Sequence, residues 1–488
     1  MRVATTTIYQ LGAQNLQRHI ADQAKLQNQL STGRRVLSPA DDPIASARAL
    51  EITQAQSLNG QYSVNSDSAD SALRMTEESL QQVTTLIQNV QQLAVNAGNP
   101  TLTAVEKKML DSELQGRYQE LMALANSTDG TGLYLFSGFA GSTKPFTETS
   151  FGNVTYNGDD GQRLVQISAS RNIPVSESGN DVFNRIKNGN GTFVTAQADA
   201  GAPSFTPTNK GSGIISPGEV LDPVKWNDVS NPKDYRIKFH WTENPAQPNK
   251  PNITYDIIYN RQFDPVTGAA DPNFGVSMLD GMANADTRTT ASANSITTLR
   301  PYVPGGDIEF KALPTDPAGA PPIAGWDAGI KMSISGTPLQ IDPNTKIPLP
   351  VGATEGGADE FTVKASTNVD LFTNLADLSR ALNAYKTDGT GTGQAAFQNQ
   401  LNTALSNLSN SLTNVLTVQA NIGARMNETD SVRNTNEDLN LQYATTLKDL
   451  RDLDYAAAVS DFAQNQTVLD AARQSFAKVQ GLSLFQYI

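Results

Sequence analysis

Cysteine is absent from the 488 residues, which removes disulfides, thiolate metal sites and cysteine nucleophiles together. Histidine occurs only as His19 and His240, so a multi-histidine metal site within one chain is excluded. No apolar run approaches the roughly 20 residues of a transmembrane helix. The start, Met1-Arg2-Val3-Ala4-Thr5-Thr6-Thr7-Ile8, lacks the apolar stretch of a secretory signal peptide. Charged residues make up only 17%, so Asn, Gln, Ser and Thr must supply much of the surface. The net charge of −13 repels phosphate backbones and anionic lipid headgroups; neither nucleic acid nor membrane is an expected partner. Chemical motifs are missing as well. There is no phosphate-cradling G-x-x-x-x-G-K-[ST], no G-x-S-x-G and no H-E-x-x-H, and Gly130-x-Gly132 and Gly389-x-Gly391 lack the third glycine of a dinucleotide fingerprint. No catalytic residue, cofactor or metal is expected, and the chain does not read as an enzyme.

What is present is unevenly distributed. Of 25 prolines, only Pro39, Pro43 and Pro100 lie outside residues 140–365, and Trp226, Trp241 and Trp326 all lie inside that window. Proline interrupts helices and central strands, so the middle reads as turns and short strands while the flanks are free to form long helices. The flanks carry helical spacing. Leu80, Val83, Ile87, Val90, Ala94 and Ala97 form one seam, ended by Gly98-Asn99-Pro100. A second helix carries Leu110, Leu114, Leu121 and Leu124, and a third carries Leu371, Leu375, Leu378, Leu382 and Tyr385. The fourth runs from Phe397 through Leu401, Ala404, Leu408, Val415 and Val418 to Ile422, and the last from Tyr455 through Ala458, Phe462, Asn465, Leu469, Ala472 and Phe476 to Val479.

The middle alternates with period two at Asn153–Tyr156, Leu164–Ile167, Tyr235–Trp241, Ile253–Tyr259, Lys331–Ser335 and Phe361–Val363. Asn157-Gly158 predicts a tight hairpin. The fold class is therefore α+β and multidomain: an elongated, discontinuous helical bundle or coiled coil built from both termini, with a large β-rich insert projecting from it. Three regions are expected. Residues 1–45 and 440–488 are terminal coiled-coil segments, 46–139 and 366–439 a helical shaft, and 140–365 the insert, with any division into two subdomains near 195–215.

Polar clusters have plain readings. Asp42 followed by Pro43 suits a helix N-cap and first position. Asp159-Asp160 reads as a turn, with a calcium loop as the alternative, although the spacing fits no EF-hand. His19 reads as a solvated or interfacial side chain. The terminal seams differ from ordinary core. Ordering about 30 residues costs roughly 30–60 kcal/mol, whereas about ten large side chains between Tyr455 and Phe485 return roughly 15–30 kcal/mol if fully buried. These segments are expected to order when other subunits cover them.

Motifs at both ends bear on this. Leu30-Ser31-Thr32-Gly33-Arg34-Arg35-Val36-Leu37-Ser38-Pro39-Ala40-Asp41-Asp42-Pro43 resembles the N-terminal signature of the flagellin superfamily. Asn421-Ile422-Gly423-Ala424-Arg425 and Leu453-Asp454-Tyr455-Ala456 resemble its C-terminal signature. Met1-Arg2-Val3 with Ile8-Tyr9-Gln10, Gly158-Asp159-Asp160-Gly161-Gln162 followed by Val165-Gln166-Ile167, and the ending Phe476 to Phe485 are similar to its hook-associated, hook–filament junction branch. The resemblance covers about residues 1–195 and 366–488; residues 196–365 match no pattern of the family.

The resemblance implies an extracellular structural protein of the bacterial flagellum, exported unfolded by the type III apparatus without a cleaved signal. It would join hook-associated protein 1 to the flagellin filament as a homo-oligomeric ring or helical layer, after release from a cytoplasmic export chaperone. Leu11, Leu16, Ile20, Leu30, Tyr455, Phe462, Leu469, Phe476, Val479 and Phe485 are the expected assembly residues. Leu482, Leu484 and Phe485 are the expected chaperone-binding residues. The rivals are a filament subunit of the flagellin type, a flagellar shaft carrying an adhesin or glycan-binding insert, and a hydrolase within the insert.

Overall fold

A computed structural model describes residues 5–198, 209–247, 250–265, 267–291, 295–317, 319–342, 348, 355–386 and 392–481. Helices α1 (Thr5–Thr32), α2 (Pro43–Ala97) and α3 (Ala104–Ala125) precede strands β1 (Phe146–Ser150), β2 (Asn153–Tyr156), β3 (Leu164–Ser168) and β4 (Arg171–Pro174). The insert continues with β5 (Ile186–Lys187), β6 (Phe193–Gln197), β7 (Ile214–Ile215), β8 (Glu219–Val220), α4 (Pro223–Asn227), β9 (Asp234–Thr242) and β10 (Asn252–Tyr259). Then follow β11 (Arg300–Pro301), β12 (Asp307–Lys311), β13 (Asp327–Ser335), β14 (Glu355–Ala365) and β15 (Asn368–Val369). Helices α5 (Leu371–Ala384), α6 (Thr392–Arg451) and α7 (Tyr455–Gly481) close the chain. The fold is α+β, helical at both ends with a β-rich insert of small sheets, and the helical seams lie within these helices except for Tyr385, which follows α5 as its C-cap.

The chain divides into two compact units, Met1–Asp70 with Val165–Ile173 and Asn427–Ile488, and Ser71–Leu164 with Pro174–Met426. Within the first unit α1 and α7 run antiparallel. A β-carbon on Gly12 would lie 3.2 Å from the Phe476 ring, and one on Gly33 would lie 2.8 Å from the Tyr455 hydroxyl. The β3–β4 hairpin is pinned to the long helices by backbone-directed amides. Asn65 Nδ2 donates to Gln166 O at 2.8 Å, Asn436 Nδ2 to Ile167 O at 3.0 Å, and Asn59 Nδ2 to Asn436 O at 2.6 Å.

In the second unit the last turns of α2 bury Leu80, Val83, Ile87, Val90, Ala94 and Ala97. Gly98-Asn99-Pro100 ends that helix, and Thr103 and Glu106 start α3 with a reciprocal capping box. The free carbonyl of Ala97 is met by Lys107, whose Nζ donates to it at 2.5 Å while lying 4.4 Å over the Tyr385 ring and 4.2 Å over that of Phe397. This lysine is fully buried, and burial pushes its pKa down.

The insert holds an antiparallel five-stranded sheet in the order β11-β10-β9-β14-β6 and a sheet in the order β12-β13-β7, with β8 also paired to β13. Alternate residues of β9, Tyr235, Ile237 and Phe239, face a core shared with Phe310 and Met332 of the second sheet and with Trp326, which immediately precedes β13. The opposite face of β9 and β10 carries Arg236, Lys238, His240 and Asp256. Over it lie Asp286, bonded to Arg236 at 2.6 Å, and Arg288, paired with Asp256 at 3.2 Å and Asp280 at 2.7 Å. This face is covered by ion pairs, where the other is covered by rings.

One expectation is overturned. Asn157-Gly158 does not turn a hairpin: β2 pairs backwards with β1 through Phe151-Gly152, where Gly152 has φ +79°. Asn157 instead donates its backbone N–H to Pro145 O at 2.7 Å, and the neighbouring Asp159 is drawn to the 137–141 loop. The second half of the 195–215 segment includes β7, while residues 199–208 lie outside the described residues.

Candidate assembly surface

The segment between α1 and α2 is the most tightly specified part of the first unit. Gly33 has φ +68°, a conformation that favours glycine, and its carbonyl accepts from Leu453 N at 2.9 Å. Arg35 N then donates to Arg451 O at 2.7 Å, and the Arg35 guanidinium to Leu450 O at 2.9 Å. The α6–α7 corner and the α1–α2 corner are thus stitched by main-chain bonds. Asp41 accepts from Leu37 N, Ser38 N and Ser38 Oγ, and pairs with Lys25 at 2.8 Å. The Lys25 bond, aided by those from Ser38, holds its carboxyl down to about 2. Asp42 caps α2 by accepting from Ala45 N at 2.9 Å. On the other side Asp454 caps α7 by accepting from Ala456 N and Ala457 N. The signature residues therefore fix two helix–helix corners.

The expected assembly residues fall into three groups. Leu11 (53% exposed), Ile20 and Tyr455 are open to solvent. Leu16, Leu30, Phe462 and Phe476 are half-buried, and Leu469 is buried at 3% exposure. Val479 lies on α7 with its side chain outside the described set, as are Leu482, Leu484 and Phe485. The α1–α7 pair brings Phe476 against Gly12, and Tyr455 against Gly33. It leaves further apolar side chains, Val459 and Val468, exposed on α7. His19 is half-buried in α1, its Nδ1 without a hydrogen bond.

Other motif residues support the second unit. Arg425 ion-pairs with Glu177, which also accepts from Gln162 at 3.1 Å. Asp159 accepts from the backbone N–H groups of Phe139, Ala140 and Gly161, and Asp160 pairs with Arg185 at 2.5 Å. The acidic pair thus has protein partners, as a turn requires. Among the described residues no group of three or more potential metal ligands occurs, and no helix is long and apolar enough to cross a membrane.

Sequence reasoning passed over a row of asparagines on α6. Asn399 accepts from Ile215 N at 2.9 Å and donates to Gly213 O at 3.0 Å. Asn407 accepts from Gly189 N at 2.9 Å, Asn410 donates to Lys187 O and Gly189 O, and Asn414 to Asp181 O and Val182 O. Each satisfies buried or half-buried main chain of the insert. The available signal was their spacing of three, four and eight residues along one helix face.

Residues 3–140 match the bacterial flagellin N-terminal helical region. Over 186 residues, 38% of this chain, the sequence is 38% identical to flagellar hook-associated protein 3 of Salmonella typhimurium and 37% identical to that of Escherichia coli. The chain resembles hook-associated protein 3. It spans 58% of the length of these two relatives. The crystal structure of hook-associated protein 3 from Legionella pneumophila superposes with a TM-score of 0.62 at 24% identity, covering 82% of this chain and 98% of that one. FlgL of Xanthomonas campestris superposes at 0.55 with the same identity, covering 81% and 99%. The flagellins are more distant, at 27% identity over 135 residues for the phase 1 flagellin of Salmonella naestved. The relatives of the hook-associated protein 3 and flagellin kinds are structural proteins of the flagellum rather than enzymes.

Proposed function

We propose that this protein is a structural adaptor of the bacterial flagellum, joining hook-associated protein 1 to the first flagellin subunits outside the cell. The observation that carries this reading is the hook-associated protein 3 resemblance, together with a terminal helix pair whose apolar seam is only partly covered. Leu11, Ile20 and Tyr455 offer the uncovered part of the seam; Leu16, Leu30, Phe462, Leu469 and Phe476 hold the pair that presents it. Val479 and Phe485 extend the seam toward the C-terminus. Copies of the chain pack these pairs side by side as a ring or helical layer. Residues 1–45 and 440–488 form its inner part, 46–139 and 366–439 the shaft, and 140–365 the outward insert.

Before assembly the chain leaves the cell unfolded through the type III apparatus, and a cytoplasmic chaperone masks Leu482, Leu484 and Phe485. Absence of cysteine suits this route, since no disulfide needs reduction. The same helical physics would serve a filament subunit, and the distant flagellin likeness favours that second reading. Deleting the gene separates the two. Hooks without filaments, with flagellin shed into the medium as monomer, are expected; filaments of normal length and attachment would overturn the adaptor role.

A further inference from the structure

Within the first unit, α1 and α7 are joined to α2 and α6 by two connectors, residues 33–42 and 452–454, and neither connector contains a buried residue. Apolar burial therefore does little to fix the chain at these corners; hydrogen bonds set their geometry instead. Leu453 N donates to Gly33 O, Arg35 N donates to Arg451 O, and Arg34 bridges to Asp452. These main-chain bonds hold the two connectors side by side. They do not by themselves fix how the α1–α7 pair is angled on them, because a hinge needs dihedral changes in only a few residues at element ends.

Two side chains of α1 oppose such turning. Lys25 and Gln29 stand four residues apart, on one face of the helix. Gln29 is buried, and its Nε2 donates to Arg35 O at 2.5 Å. Lys25 reaches further along the connector, to Asp41 at 2.8 Å. Because Asp41 also accepts from Leu37 N, Ser38 N and Ser38 Oγ, the 37–41 turn moves with the carboxylate that Lys25 grips. On the other side the Arg35 guanidinium donates to Leu450 O at 2.9 Å and pairs with Asp42, the cap of α2, at 3.4 Å. A chain of polar contacts thus runs from the body of α1 through the connector to the end of α6 and the start of α2. The Lys25–Asp41 step is open to solvent on both sides, and an exposed pair opens at small cost.

We propose that Lys25 and Gln29 form a latch that sets the angle of the α1–α7 pair on α2 and α6, and that opening the latch lets the terminal pair pivot as one body on the joined connectors. The pivot lies at Gly33 and Asp452, where the main-chain bonds persist, and the α1–α7 contact itself is unaffected. The latch belongs to the single chain, so it does not depend on the assembly reading above.

The test uses the full chain as a dilute monomer, in which the absence of native cysteine confines spin labels to introduced sites. Glu437→Cys with Gln464→Cys spans the corner from α6 to α7, and Gln14→Cys with Gln474→Cys reports the α1–α7 contact; all four positions are exposed. Double electron–electron resonance then gives both distance distributions. The parent should be narrow at each. With Lys25→Ala and Gln29→Ala together, the 437–464 distribution should become at least twofold wider while the 14–474 distribution stays as it was. Alanine favours the helix, so α1 itself is not weakened. Lys25→Arg alone should match the parent. An unchanged 437–464 distribution in the double variant would overturn the latch, as would a parent distribution already that wide. Widening at both label pairs would overturn it too, since the two side chains would then hold the α1–α7 contact and not its angle.

Discussion

Lys107 shows how much one side chain decides. Its ammonium serves as the missing partner of the Ala97 carbonyl at the end of α2 and lies between two aromatic faces. Lys107→Met keeps the volume but leaves that carbonyl unpaired, so urea unfolding should show a loss of about 1–3 kcal/mol. Asp41 makes a pH-dependent contribution. Its folded-state pKa, about 2, lies below the unfolded value of about 3.9. The unfolded state therefore binds more protons between these values, and stability falls as the solution is acidified through them. The contribution is complete above about pH 5 and drains away as pH falls toward 2. Thermal melts of Asp41→Asn should be flatter than those of the parent in this window. At Gly33, alanine would need φ +68° and would press its β-carbon on the Tyr455 hydroxyl. Gly33→Ala should cost about 1–3 kcal/mol, read from hydrogen exchange at the two corners.

At the scale of elements, the helices were legible because their signals are local. The seam from Leu80 to Ala97 and the stop at Gly98-Asn99-Pro100 need no distant information, and α2 ends where those residues say. The strands were legible as segments but not as sheets. β6 pairs with β14, joining residues such as Phe193 and Ala365 across more than a hundred positions, and no short-range pattern encodes such a partner. The Asn157-Gly158 expectation failed for a related reason: a turn dipeptide is decisive only between two strands that pair, and β3 pairs onward with β4. The α6 asparagines were hidden because amides on a helix look like solvated surface until the main chain they satisfy is in place. Asn399→Ala would strand a buried donor and a buried acceptor at once. It should cost about 2–4 kcal/mol, seen as lost amide protection at Ile215 while α6 stays helical. The expected assembly residues divide along the same line: spacing groups apolar positions on α1 and α7, but it does not say which of them the pair itself covers.

For the whole molecule, the terminal pair carries the sharpest expectation. Phe476 packs on Gly12 and is half-buried. Phe476→Asp should loosen the α1–α7 pair, seen as lost amide protection in α1 and α7 while the melting of the second unit is unchanged, and abolish the proposed assembly, because a charge would replace the ring packed on Gly12. Undiminished self-association of the mutant would overturn the role given to this helix pair. The insert contains its own rings and ion pairs and has no part in that outcome.

The order in which the first unit can be completed follows from its composition. It takes in residues 1–70 and 427–488, so α1 waits for α7 across more than four hundred intervening residues. Closing a loop of that length costs about 5 kcal/mol of chain entropy beyond a constant, a penalty that prior folding of the second unit would relieve by bringing α2 and α6 together. A chain interrupted before Tyr455 could still build the β-rich insert but would leave α1 without its mate. For the proposed assembly the helix pair would serve as a test of completeness: a fragment that lacked α7 could fold its insert yet would not present the paired seam.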